Sequence, residues 1–143
     1  MSPTAEKRLL QAAVAIACLV PLSAGGSGVI ESAAMLKGVA APLPPDLDSH
    51  YRYLSGLLLG IGLVFLASLP RIERRGAVFR TLGAVIVVGG AARLVPLLNG
   101  TSPSGAHLFA LAMELVVVPL IVLWQARVAR RVKKSQRAGS GQV

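Results

Sequence analysis

The stretch YRYLSGLLLGIGLVFLASL, residues 51–69, followed at once by PRIERR, residues 70–75, decides the fold. After Arg52 it carries no charge, and its length is close to the roughly 20 residues that a helix needs to cross the hydrocarbon of a bilayer. Pro70 closes it, and Arg71, Arg74 and Arg75 stand just beyond. An apolar run ended by arginines is how a span meets cytoplasmic headgroups.

Outward from this run, the same pattern recurs on both sides. Apolar blocks over about 9–25, 78–98 and 106–124 are separated by Gly/Pro-rich or charged segments. Asn99-Gly100 and Pro103-Ser104-Gly105 mark the last turn, and Pro42, Pro44 and Pro45 keep the chain extended before span two. Glu31 to Lys37 reads as a short interfacial helix. The expected fold is all-α: an integral membrane bundle of four transmembrane helices, forming one domain over residues 1–131. A basic tail, 132–143, is expected to be disordered.

Composition agrees. Of 143 residues, 54% are hydrophobic and the mean hydropathy is +0.67, more apolar than a soluble domain of this size normally is. The net charge of +9 raises nucleic acid as a partner, but the positions of the basic residues argue against it. All but Lys37, Arg52 and Arg93 fall into three groups, near Lys7, between Arg71 and Arg80, and from Arg127 to Arg137. Four spans put all three groups on one side. Both ends are therefore expected in the cytoplasm, with anionic lipids as the counter-charge and no nucleic acid partner. Tyr51, Tyr53 and Trp124 stand at block ends as interfacial anchors. A rival reading takes the first block as a secretory signal cleaved at Leu22-Ser23-Ala24.

Charges inside the blocks are the candidate site. Arg93 lies roughly 9 Å and Glu114 roughly 12 Å below the outer surface, counting 1.5 Å per helical residue. An isolated charge at such depth costs a few kcal/mol, about enough to force pairing or a wet cavity. Arg93 and Glu114 are therefore expected to face each other, either as a ligand or proton site or as an ion pair that sets helix register. His107 shares a stripe with Glu114, seven residues away, and Gln125 extends it. Gly83, Gly90 and Arg93 share a face of span three. A second cluster, Asp46, Asp48, Ser49, His50, Tyr51 and Arg52, opens span two. Asp48 or Ser49 suits a helix N-cap. Arg52, Gly56 and Gly60 recur every four residues, a face able to pack closely against another helix and bring Arg52 to the level of Arg93 and Glu114.

Other chemistry has little support. Cys18 is the only cysteine, so no intramolecular disulfide and no cysteine metal site can form. Asp46, Asp48 and His50 match no strong metal spacing, so no metal and no cofactor is expected. No phosphate-binding Gly loop, zinc-protease helix or nucleophile elbow occurs. The Asn99-Gly100-Thr101 sequon lies on the outer side but is short enough to arise by chance.

Ser49-His50-Tyr51-Arg52-Tyr53-Leu54-Ser55-Gly56-Leu57, Gly89-Gly90-Ala91-Ala92-Arg93-Leu94, Met113-Glu114-Leu115-Val116-Val117 and Trp124-Gln125 resemble a bacterial membrane-protein family, domain of unknown function 4345. The resemblance covers about Arg8 to Arg131. It implies a four-helix membrane domain that includes the first span, a multi-pass location in the bacterial inner membrane, and no known activity. It singles out Arg52, Arg93 and Glu114. Three functions remain: a non-catalytic binding or accessory module; a membrane enzyme acting on a lipid or isoprenoid, with Glu114 as acid/base and Arg52 or His50 orienting substrate; and an oligomeric transporter. Ligand-binding candidates are Arg52, Arg93, Glu114, His50, Asp48 and His107. A lipid-like ligand, a membrane-protein partner and a second copy of the chain are the partners considered.

Overall fold

The computed structural model describes residues 2–36, 38–40 and 42–140, with side chains as far as Arg137. All secondary structure among these residues is helical: α1 (Pro3–Glu31), α2 (Pro45–Ser68), α3 (Gly76–Leu98), α4 (Gly105–Ala112) and α5 (Val118–Ser140). A π-turn, Met113–Val117, joins α4 to α5 without a break, so there are four rods, each long and apolar enough to cross a membrane.

Several boundaries differ from those expected. Helix α1 outruns 9–25 at both ends and passes through Pro21 and the glycine run 25–28. Helix α2 starts six residues early, with Pro45 at its first position, where a missing N–H costs nothing. The expected short helix at 31–37 is a 3-10 turn, Ser32–Met35, and Lys37 lies outside the described residues. The tail read as disordered from 132 is helical to Ser140, because Arg127 to Arg137 continue α5 with good helix formers; residues 141–143 lie outside the described residues.

The chain divides into two compact units, the first holding the residues up to Gln11 together with those from Arg71 on, the second Ala12–Pro70. In the first, α3 packs on α4, the π-turn and α5. Leu10, Ile72, Phe79 and Val128 are its most buried apolar residues. The buried amide of Gln125 donates to Ile72 O at 2.8 Å, satisfying a turn carbonyl that water cannot reach. A Cβ on Gly83 would stand 2.7 Å from Val122 Cγ2, so this glycine is what lets α3 approach α5.

In the second unit the close contacts come from α1. A Cβ on Gly25 would stand 2.7 Å from the backbone N of Leu59, and one on Gly28 would run into the Ser55 side chain. On α2 it is Gly62 that leaves room, for Pro21 and Leu22. The face expected to do this, Gly56 and Gly60, does not: a Cβ on Gly56 would only graze Val29, and one on Gly60 would meet nothing within 4 Å. Repeating small residues show that a face can pack closely; which glycine is used depends on the partner's shape.

Much apolar surface stays uncovered. Ile16, Leu19, Val88, Leu98 and Leu123 are all more than 60% exposed, which a water-soluble monomer would avoid and lipid would cover.

Candidate functional site

Arg93 and Glu114 face each other, as expected. Arg93 Nε lies 3.0 Å from both carboxylate oxygens, and it donates to Oε1. The Glu114 side chain is 17% exposed and that of Arg93 45%. Two local devices set the geometry. Gly90 gives the carboxylate its room, since a Cβ there would stand 2.9 Å from Glu114 Cβ and 2.8 Å from Leu115 Cδ2. The π-turn that holds Glu114 ends two residues before Pro119, which cannot donate to the carbonyl of Leu115 and would press its ring against it. One wider turn removes that conflict and turns Glu114 towards α3.

His107 completes the cluster. Ser104 caps α4 by accepting from His107 N at 3.2 Å, and the His107 Nε2 lies 3.2 Å from Arg93 O. With Nε2 protonated, the ring donates to that carbonyl. Arg93, Glu114 and His107 thus form one constellation at adjoining ends of α3 and α4. Its chemistry is asymmetric. Glu114 Oε2 is buried and accepts no hydrogen bond among the described residues, although Arg93 Nε faces it at 3.0 Å in the ion pair, and the Arg93 side chain is itself half-exposed. An acceptor and a set of donors therefore stand side by side.

The other candidates lie in the second unit. Arg52 donates through Nη1 to Val29 O at 2.5 Å and Ile30 O at 2.9 Å, and through Nε to Asp48 at 3.0 Å. These carbonyls end α1, where no intrahelical donor is available, so Arg52 caps that helix and complements its dipole. Ser32 follows in a left-handed conformation, φ 59°, with its hydroxyl on Asp48 O at 3.4 Å. The cap accounts for Arg52 and Asp48 without a ligand. The expected side-chain cap of α2 by Asp48 or Ser49 is absent, because α2 begins earlier, after Pro44. His50 is exposed. Among the described residues, no three His, Cys, Asp or Glu side chains come together as a metal group.

Sequence reasoning missed a third cluster, at the other end of the first unit. Glu6 is 2% exposed and is held by Arg127 Nε at 3.1 Å and Arg131 Nη1 at 2.8 Å, while Lys7 reaches Glu73 at 2.9 Å. The only acids within the basic segments are the signal that was available: Glu6 and Glu73 each sit beside surplus cations.

The sequence profile of the family described as domain of unknown function (DUF4345) matches residues 9–125. The match takes in the first apolar block and runs to Gln125. No curated protein and no solved structure matches the chain. Most of the chain lies within the match, and the chain belongs to this family.

Proposed function

We propose that this member of the family is a four-span membrane binding module, non-catalytic, with Arg93, Glu114 and His107 as its site. The spans run with both termini in the cytoplasm of a bacterial cell, so the basic segments meet anionic headgroups of the inner membrane and the Arg93 cluster lies in the outer half. One observation carries the reading: a buried acceptor, Glu114 Oε2, has no hydrogen bond and is faced only by its ion-pair partner, the half-exposed Arg93. A buried acceptor without a hydrogen bond costs up to about 1–3 kcal/mol, less where an ion pair faces it, and a ligand that donates to it would recover that cost. The head that fits is hydroxyl-bearing, donating to Oε2 and accepting from an Arg93 Nη, on a lipid-like body that lies along the exposed apolar surface of α3 and α4.

The test is to purify the chain in mild detergent and identify co-purifying lipids by mass spectrometry. A stoichiometric amphiphile retained by the native chain should bind roughly tenfold more weakly after Glu114→Gln, the loss of one charged hydrogen bond. Retention unchanged by that substitution would remove the site. The same buried oxygen also suits a second reading, an enzyme with Glu114 as acid/base. Conversion of the bound lipid over time, abolished by Glu114→Gln, would select it.

A further inference from the structure

The basic end of the first unit carries more cations than its acids engage. Glu73 is taken by Lys7, and Glu6 by Arg127 and Arg131. Arg74, Arg130 and Lys133 are in no ion pair among the described residues, yet all three line one cleft of about 330 Å³ between the turn after α2 and helix α5, whose lining also includes the Lys7-paired Glu73 and Gln136. Ala129 and Val132 give it an apolar wall. A second hollow on α5, about 490 Å³, is lined by Leu123, Trp124, Arg127 and Arg130, so Arg130 borders both. The pair of hollows spans the place where α5 changes from apolar to basic.

We propose that this double hollow seats one anionic phospholipid. Its phosphate oxygens accept from Arg130, Arg74 and Lys133, and an acyl chain lies along Leu123 and Trp124. Three cations in no ion pair, against one carboxylate that Lys7 already neutralises, leave the cleft a positive excess that matches a single phosphate, and arginine matches it with paired donors. A soluble phosphate compound would satisfy the cations but leave the Leu123 and Trp124 hollow unused, so the lipid is the better fit. The proposal rests on the reading that α5 crosses the membrane with its basic half at the headgroups. It adds a defined site to the diffuse attraction expected of any basic segment.

Trp124 is the only tryptophan, so its fluorescence reports on this site alone. The full chain is reconstituted in phosphatidylcholine vesicles, into which brominated phosphatidylcholine or brominated phosphatidylglycerol is mixed at equal mole fraction. Brominated phosphatidylglycerol should quench Trp124 with a relative affinity at least about fivefold higher, the effect of about one cation at a membrane surface. In the double variant Arg130→Gln, Lys133→Gln the ratio should fall towards one, with helicity unchanged by circular dichroism. Lys134→Gln, outside the cleft, should keep it. Equal quenching by the two lipids in the native chain overturns the site while leaving the membrane reading intact. No quenching by either overturns both. Loss of the preference on adding inorganic phosphate at constant ionic strength would assign the cleft to a soluble phosphate compound and overturn the lipid.

Discussion

Gly89 and Gly90 are neighbours in α3 with opposite surroundings. Nothing lies within 4 Å of a Cβ at Gly89, whereas one at Gly90 meets Glu114 and Leu115 at under 3 Å. Gly89→Ala should therefore leave stability unchanged or raise it by up to about 1 kcal/mol, through the lower backbone entropy of alanine. Gly90→Ala should cost about 1–3 kcal/mol, because neither a Cβ on the facing helix nor its backbone can move aside freely. Unfolding in detergent, followed by circular dichroism, measures both. A double-mutant cycle on Arg93 and Glu114 should give coupling of about 1 kcal/mol in the native chain, and less in the Gly90→Ala background. Additive effects in the native background would mean that the pair does not interact in the membrane. The meeting of Arg93 and Glu114 was legible beforehand because hydrocarbon penalises a lone charge and helix rise turns residue number into depth. The role of Arg52 was not legible, since its partners are backbone carbonyls, which no residue type announces.

Among the elements, α5 shows how one helix serves two environments. Its first half is apolar and its second half is basic, and the helix does not stop at the change. Arg127 and Arg131 are four apart, on one face, and both reach the buried carboxylate of Glu6. Glu6→Gln should cost about 2 kcal/mol, by leaving two guanidinium groups with a neutral partner. Arg127→Gln or Arg131→Gln alone should cost less, because each leaves the other arginine on the carboxylate. Thermal unfolding in detergent ranks the three, and equal losses would show that the carboxylate is not shared. The π-turn belongs to the same scale. The span expected over about 106–124 takes no account of Pro119, and a proline in a helix can in any case be absorbed by a kink, a bulge or a loop. The structure shows the bulge, with Glu114 close against Gly90 of α3.

For the whole molecule, the distribution of arginines is the main determinant of orientation. A reporter fused after Asn99 should read as periplasmic and one after Arg131 as cytoplasmic. Replacing Arg71, Arg74, Arg75 and Arg80 by glutamine should mix the two orientations, and a uniform topology after that change would argue that the other basic groups suffice. A cytoplasmic signal at Asn99 in the native chain contradicts the four-span arrangement.

The number of rods and their apolar character were determined by sequence alone. Those properties depend on the solvent, and transfer of each side chain into hydrocarbon is nearly additive along the chain. Hence the run at residues 51–69, with the arginines after it, was enough to establish the class of fold. What only the tertiary structure decided are the contacts between residues far apart: Glu6 with Arg131, Arg52 with the end of α1, Gly25 rather than Gly60 as the point of close approach. Such contacts depend on shape and on the direction of backbone carbonyls, which composition and spacing do not encode.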